Sequence, residues 1–235
     1  MHRPLYHIEL VDLLWLAPPV LAVGIIYARW TRDNRTVAYG TVRMVVQLIL
    51  VGYVLTAVFS AKSPWPVVGV LGVMLTAASL IALRPLASRT PRLYLWAFLS
   101  VGAGALLALG CVLGGVLHLE VWYEPHVAVP LAGMLFANAM NAVSIAAERF
   151  ESEARDHPFA EARRRAYKAA LIPILNAFFA VGLVSLPGMM TGQILSGVDP
   201  LVAVRYQMMI MLAVFASAGI AAALFLTLRI RFTDD

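Results

Sequence analysis

Seven apolar segments, each 17 to 25 residues long, determine what this chain can fold into. They occupy residues 13–30, 44–60, 66–83, 93–117, 127–147, 169–190 and 206–228. A helix needs about 20 apolar residues to cross a lipid bilayer, and none of these segments contains an aspartate or a glutamate. Charged residues make up 13% of the chain, against roughly 25% in soluble domains. We therefore predict an all-α integral membrane protein in which residues 1–235 form one domain, a bundle of about seven transmembrane helices.

The basic residues are distributed unevenly between the connections. Fifteen of the 18 lie in or beside the first, third and fifth connections and in the C-terminal tail, which share one side of a bundle with seven spans. Because Lys and Arg concentrate on the cytoplasmic side of a membrane, we predict that the N-terminus is outside and the C-terminus inside. Topology thus accounts for the net charge of +5. We expect contact with the lipid bilayer and none with nucleic acid.

Small residues recur four apart in two of the segments. Gly110 and Gly114 lie in the fourth segment, and Ala213, Ser217 and Ala221 lie in the seventh. Such spacing permits close contact between membrane helices. We therefore expect both faces to pack against protein, either within the bundle or between two copies of the chain.

Residues 181–207, VGLVSLPGMMTGQILSGVDPLVAVRYQ, interrupt the pattern of long helices. An apolar helix is predicted to break at the Pro–Gly pair, and a new one to begin at the Asp–Pro pair, where aspartate is a good N-cap and proline suits the first helical position. The candidate gate residues are Pro187, Gly188, Gly192, Gly197, Asp199 and Pro200. Two interpretations remain open: a broken, re-entrant helix at a transport site, or a tight extracytoplasmic hairpin between two spanning helices.

Amides are the main polar groups inside the apolar segments. Together with two thioethers they form the candidate substrate pathway: Gln47, Asn138, Asn141, Asn176, Met189, Met190 and Gln193. An amide can replace part of an ion's hydration shell, although hydrogen bonds between helices are its ordinary use in membranes. Asn138 and Asn141 are three apart and share one helix face, which favours a polar stripe. Methionine sulfur suits soft metals but more often fills irregular apolar space, so the sequence assigns no metal ligand.

Residues 148–168, ERFESEARDHPFAEARRRAYK, form the only sizeable predicted cytoplasmic connection. The pattern predicts the end of the fifth helix, a turn, and a new helix with an apolar face beneath an arginine-rich one. The candidate coupling residues are Arg155, Asp156, His157, Pro158, Phe159, Arg163, Arg164 and Arg165. This helix either docks on a partner protein or lies on the membrane surface, held to anionic lipid by its arginines.

Motifs for nucleotide hydrolysis and for common enzyme chemistry are missing from the sequence. Neither of the two lysines follows a glycine, so there is no phosphate-binding GxxxxGK[ST] loop. There is also no HExxH, CxxC or GxSxG motif. We therefore expect no catalytic residues and no cofactor in this chain, which is predicted not to be an enzyme.

Three blocks of sequence resemble one known family of membrane proteins. They are VRMVVQLILVGYVLTAVFS at 42–60, VPLAGMLFANAMNAV at 129–143, and the block at 169–207 that begins AALIP and contains LPGMMTG and GVDP. These blocks are similar to the iron-export permease (FetB-like) family of ABC transporters, to which the plant aluminium-tolerance permeases also belong. The resemblance implies a permease subunit in a bacterial cytoplasmic membrane that exports a metal ion, iron by resemblance.

The resemblance also implies two partners: a second copy of the chain, and a separate ABC ATP-binding subunit that holds ATP and magnesium. The segment before AALIP takes the place of the family's coupling region, but it reads Ala-Arg-Asp-His-Pro at 154–158, where the family has a turn like Leu-Gly-Ala-Thr-Pro. Two alternatives remain: a stand-alone secondary transporter or channel for a small cation or solute, and a membrane scaffold without transport. The absence of acids from the seven segments disfavours proton-coupled transport.

Overall fold

The computed structural model describes residues 9, 11–33, 35–60 and 63–231, and these residues are almost entirely helical. The helices are α1 Ala17–Thr31, α2 Thr36–Phe59, α3 Pro64–Ala82, α4 Pro91–Gly110, α5 Pro125–Glu153, α6 Phe159–Ala180, α7 Gly188–Leu195 and α8 Pro200–Arg231. A short 3₁₀ segment, Asp12–Leu16, precedes α1, and a π-helical turn, Cys111–Val116, continues α4. No β-strand occurs in the described ranges, which confirms the prediction of an all-α fold.

Proline marks the start of four of these helices. Pro64, Pro91, Pro125 and Pro200 are the first residues of α3, α4, α5 and α8. A proline at this position has the backbone φ of a helix already, and its missing N–H would have had no helical acceptor. At the start of α4 the Thr90 side chain also accepts a hydrogen bond from the backbone N–H of the third helical residue. Local sequence therefore fixes where these helices begin.

The chain divides into two compact units, of which the first is residues 1–62. Within it, α1 ends at Thr31, and the next residue, Arg32, has a φ of 56°, in the left-handed region. The Asp33 carboxylate then accepts hydrogen bonds from the backbone N–H groups of Arg35 and Thr36, both at 3.0 Å, and so starts α2. The candidate pathway residue Gln47 is exposed on α2.

The second unit, residues 63–235, is built around α8, which packs on α4, α5 and α6. A Cβ atom on Gly104 of α4 would lie 2.6 Å from the Ser217 carbonyl oxygen and 2.9 Å from the Ala221 nitrogen. The buried Ser217 hydroxyl donates to the Leu135 carbonyl of α5 at 3.1 Å. The small-residue face of α8 is therefore a packing face, as predicted.

For the other small-residue pair, Gly110 and Gly114, no close packing occurs within the described part of the chain, and packing between two copies stays a prediction. Apart from the adjoining backbone of the same helix and the chain neighbours, no heavy atom of a described residue lies within 4 Å of a Cβ built on either glycine. The helix itself changes here, because the α-helical hydrogen bonds give way to the π-helical turn after Gly110. The close approach on α4 is made instead by Gly104, about two turns earlier.

The basic connections of the second unit lie at one end. The Arg229 guanidinium near the end of α8 lies 5.1 Å from the ring centroid of Phe150 and donates to the Ala147 carbonyl, both on α5. Residues 85–87, between α3 and α4, line a small pocket together with Glu148 and Arg155 from the end of α5 and the turn after it. In a bundle whose helices alternate in direction, every second connection lies at the same end, and this clustering follows that rule. The side of the membrane on which this end lies stays a prediction.

Six helical stretches in the described residues are long and apolar enough to cross a membrane. The predicted span 169–190 is not one of them, because α6 ends at Ala180. Gly182, with a φ of 81°, turns the chain, and the N–H groups of Val184 and Ser185 both return to the Ala180 carbonyl. The predicted break at Pro187–Gly188 is therefore wrong: the break comes at Val181, and Gly188 begins α7.

Candidate translocation site

The interrupted stretch forms a turn, a short helix and a second turn before α8. Residues 181–187 are the first turn, α7 follows, and Gly197, with a φ of 90°, lies in the second turn. Asp199 then accepts hydrogen bonds from the backbone N–H groups of Leu201 at 2.8 Å and Val202 at 3.3 Å. The predicted N-cap and the predicted start of α8 at Pro200 are both confirmed.

Removing this cap should weaken the start of α8. We expect Asp199→Ala to lower the free energy of unfolding by about 1 kcal/mol, because two backbone donors lose their acceptor. Asp199→Asn keeps an acceptor oxygen and is the matched control, expected to lose much less. Thermal unfolding of the purified chain in detergent measures both. Equal melting temperatures for Asp199→Ala and the unchanged chain would contradict a stabilising cap.

A pocket of about 430 Å³ lies where the first turn and α7 face α8. Its lining includes Phe178, Leu186, Met190, Gln207, Met208 and Met211. Met208 and Met211 are three apart and therefore share one face of α8. The pocket thus presents three thioethers and one amide within an otherwise apolar wall. A dehydrated or soft ligand suits such a lining better than a hydrated ion.

Two amide oxygens in this region are buried without a partner. Gln207 is only 6% exposed, and its Oε1 atom accepts no hydrogen bond from the described residues. The Oε1 atom of Gln193 on α7 is in the same situation. A buried polar atom without a partner costs about 1–3 kcal/mol, and such atoms in folded proteins call for a functional explanation. Each oxygen therefore has an acceptor position that no described residue uses.

Gln207 is a site residue that sequence reasoning did not include in the pathway. Its only signal is an amide placed directly before Met208 and Met209 at the start of an apolar run. Of the residues that were predicted, Met190 lines the pocket, whereas Met189 is 37% exposed. The pocket therefore combines Met190, a predicted pathway residue, with Gln207, which is not in the predicted pathway.

The predicted asparagines lie elsewhere, on α5 and α6. Asn138 donates a hydrogen bond to the Met134 carbonyl of its own helix at 2.8 Å. Asn141 on α5 and Asn176 on α6 are both exposed. The two neighbours on α5 therefore differ: Asn138 bonds its own backbone, while Asn141 is available to a partner group.

Asn141 belongs to an exposed stripe along α5. Ala137, Asn141, Glu148 and Ser152 are exposed, and Ser144 between them is partly exposed. Their spacing of three, four or seven residues places them on one face of the helix. A face directed at lipid tails would carry bulky apolar residues, whereas Ala137, Asn141 and Ser144 are small or polar. The other two residues of the stripe already belong to the predicted cytoplasmic connection, 148–168. Polar groups within membrane helices normally face protein or water.

At the end of α5, Glu153 links the two helical parts of the predicted coupling segment through ion pairs. Its side chain is buried and forms ion pairs with Arg149 on α5 and with Arg165 on α6, the latter at 3.2 Å. His157 Nδ1, in the turn between the helices, lies 3.3 Å from the same carboxylate. This arrangement fixes the angle at which α6 leaves the turn.

Glu161 forms a second set of ion pairs in the first turn of α6. Arg164 donates two hydrogen bonds to it, at 2.9 and 2.8 Å, and Arg165 donates a third at 2.7 Å. These hydrogen bonds, with that from Arg164 the largest cause, hold the pKa of Glu161 at about 2, well below its ordinary value. Arg164 and Arg165, two of the predicted coupling residues, are therefore engaged within the chain.

Phe159, one of the predicted coupling residues, is packed on one side by its own chain. Its ring lies edge-on to that of Phe150, with the centroids 5.0 Å apart, and 38% of the residue remains exposed. Around it the turn residues Arg155, Asp156 and Pro158 are exposed, His157 is partly exposed, and Arg163 is exposed. The segment thus presents one aromatic face and several free polar groups.

The sequence profile of the Uncharacterised protein family UPF0014 matches residues 10–160 and 157–232. The chain belongs to this family. Its match covers both compact units, so the two helices of the first unit and the core around α8 are parts of one UPF0014 protein. The resemblance found from the three sequence blocks is confirmed.

Three curated relatives of this UPF0014 chain carry informative names. It is 38% identical to "UPF0014 membrane protein slr1647" of Synechocystis, over 90% of this chain and 88% of the relative. It is 31% identical to the "Probable iron export permease protein FetB" of Escherichia coli, over 89% and 86%. It is 27% identical to "Protein ALUMINUM SENSITIVE 3" of Arabidopsis thaliana, over 86% and 79%. No solved structure matches the chain significantly.

The helices and the family membership together establish this UPF0014 protein as an integral membrane protein. Within the described residues, no group of three or more His, Cys, Asp or Glu side chains is placed to hold a metal ion. The donor atoms gathered near α7 are amide oxygens and thioether sulfurs.

Proposed function

We propose that this UPF0014 chain is the membrane-spanning subunit of an ABC transporter that exports a metal ion. Iron is the proposed substrate, by analogy with the relative named as an iron export permease. The carrying observation is the pair of buried, unpartnered amide oxygens of Gln193 and Gln207 beside a thioether pocket. Carbonyl oxygens of this kind can replace water around a partly dehydrated cation.

The energy source in this proposal is a separate ATP-binding subunit that binds ATP and magnesium. The chain has no phosphate-binding loop of its own, so hydrolysis has to occur in a partner. Residues 148–168, at the basic end of the second unit, form the proposed docking region. Phe159 supplies the aromatic contact there, with 38% of the residue open to a partner.

A second copy of the chain completes the proposed pathway in a bacterial cytoplasmic membrane. The exposed, polar face of α5 needs a protein or water neighbour within the bilayer, and a two-fold dimer provides one. In this arrangement Asn141 and Asn176 line the deeper part of the pathway with Asn138 beside them.

The docking proposal predicts that Phe159→Ala uncouples the permease. The chain should still insert, but stimulation of ATP hydrolysis should be lost, because an aromatic anchor contributes at least 2 kcal/mol, roughly 30-fold in affinity. Phe179→Ala is the matched control: the same substitution on the same helix, at a residue that is 80% exposed. Co-purification with the ATP-binding subunit and its ATPase rate are the measurements.

The outcomes separate the alternatives. Loss of stimulation in Phe159→Ala alone supports docking at α6, and equal stimulation in both variants contradicts it. Failure of the unchanged chain to co-purify with the ATP-binding subunit or to stimulate its ATPase would contradict the ABC assignment itself. Iron flux into liposomes that contain this chain alone, without ATP, would identify a stand-alone transporter or channel instead.

A further inference from the structure

A groove of about 540 Å³ between α5 and α6 collects positive charge. It is lined by Arg149, Arg164, Arg165, Lys168, Ala169 and Ile172. The two carboxylates in contact with these cations are Glu153 and Glu161. Four cations against two carboxylates leave the groove with an excess of two positive charges.

Lys168 carries the uncompensated charge nearest to the membrane. It is exposed and takes part in none of the ion pairs found between described residues. It is also the last charged residue of α6, since the remaining positions, 169–180, hold none. The groove therefore lies where the surface of the helix changes from charged to apolar. In a helix that enters a membrane, this change marks the level of the lipid headgroups.

The apolar part of α6 continues the groove as a stripe of exposed side chains. Ile172, Leu175 and Phe179 are 49%, 37% and 80% exposed. They follow Lys168 at intervals of four, three and four residues, so all four lie on one face of the helix. With a rise of 1.5 Å per residue, the stripe extends about 16 Å beyond Lys168.

We propose that this groove binds the headgroup of an anionic phospholipid. The phosphate lies among the cations of Lys168, Arg149 and Arg165, and an acyl chain lies along the stripe formed by Ile172, Leu175 and Phe179. Basic grooves between membrane helices on the cytoplasmic side bind anionic lipids through this combination of charge and apolar surface. A water-soluble anion would contact the cations of the groove but would not contact the apolar stripe.

The groove overlaps the proposed docking region, residues 148–168, but lies apart from its aromatic contact, Phe159. Phe159 lies at the other end of the charged part of α6, about nine residues or 14 Å from Lys168. A bound lipid at Lys168 and a partner protein at Phe159 are therefore compatible. The lipid site requires neither transport nor the ATP-binding subunit.

The test compares two cations on the same helix in the full-length chain. The purified chain is placed in phosphatidylcholine nanodiscs with increasing phosphatidylglycerol, and bound phosphatidylglycerol is counted by native mass spectrometry. Lys168→Gln should weaken retention about fivefold, because each lysine near the surface contributes roughly 1 kcal/mol to anionic lipid binding. Arg163→Gln removes the same charge outside the groove and should change retention less than twofold. Lys168→Arg should restore it.

Several results would overturn the proposal. Equal losses in Lys168→Gln and Arg163→Gln would indicate general attraction between charges rather than a site. Displacement of the lipid by inorganic phosphate at millimolar concentration would identify a site for a soluble anion. Unchanged lipid retention in Lys168→Gln, together with lost co-purification of the ATP-binding subunit, would assign the groove to protein docking.

Discussion

Gly104→Ala is expected to destabilise the second unit severely. The new Cβ atom would lie 2.6 Å from the Ser217 carbonyl oxygen and 2.9 Å from the Ala221 nitrogen. Both are backbone atoms of α8, so no side-chain rotation can relieve the clash, and α4 and α8 have to move apart. Overpacking of this kind costs about 1–3 kcal/mol or more. The displacement also threatens the buried hydrogen bond from Ser217 to Leu135.

Gly110→Ala provides the control for that experiment. It makes the same substitution on α4, at a glycine with no heavy atom within 4 Å of the new methyl group. It should leave stability unchanged or raise it by up to about 1 kcal/mol, because alanine favours a helix more than glycine does. Thermal unfolding and the monodisperse fraction on size-exclusion chromatography measure both variants. Equal stability of the two would show that α4 and α8 are not in such close contact.

The contrast between these glycines explains what the sequence could predict about packing. Spacing identifies a face that is small enough for close contact, and Ser217 and Ala221 on α8 form such a face. It does not identify which neighbour lies opposite. Within the described residues, α4 approaches α8 at Gly104, whereas packing of Gly110 and Gly114 between two copies stays a prediction. Partners of membrane helices depend on the whole bundle, which no local pattern encodes.

Helix boundaries followed local chemistry where that chemistry is unambiguous. The Asp199–Pro200 start of α8 was predictable because a capping carboxylate and a first-position proline favour the same boundary. Pro187 was ambiguous, because a proline ends one helix as readily as it begins the next. The Pro–Gly pattern predicts a helix end there, whereas Pro187 directly precedes α7. The true end at Ala180 depends on the left-handed Gly182.

The candidate site was predicted only in part, for a related reason. Composition identified the amides and methionines of the apolar segments, and Met190 does line the pocket. Whether an amide is satisfied depends on its neighbours in space. Asn138 bonds its own backbone, while Gln207 has a buried oxygen without a partner. The sequence does not show which amides are satisfied, and Gln207 is therefore absent from the predicted pathway.

The second large effect is expected from a substitution of Gln207. Gln207→Leu should raise the free energy of unfolding by roughly 1–3 kcal/mol, because it removes a buried oxygen that no described residue satisfies. ATP-driven metal flux should fall about tenfold or more, since a hydrogen-bonding group in contact with a charge contributes about 1.5–3 kcal/mol. A residue kept for packing alone would not show opposite effects on stability and activity.

The remaining variants determine whether the pocket or a single residue is responsible. Gln193→Ala and Met190→Leu should also reduce flux at matched expression, because both side chains belong to the same region around α7. Met208→Leu and Met209→Leu form a matched pair on α8: Met208 lines the thioether pocket, whereas Met209 lines a different one. Only the first should reduce flux.

Wild-type flux in Gln207→Leu, Gln193→Ala and Met190→Leu would contradict a gate at α7. A gain in stability without loss of flux would then make the unpartnered oxygens a tolerated packing defect. The pathway would have to follow the exposed stripe on α5, the other polar surface within the membrane helices. Asn141→Leu would then be the decisive variant, and Asn138→Leu its control. Asn138 donates to a carbonyl of its own helix, whereas Asn141 is exposed and available to contact a substrate.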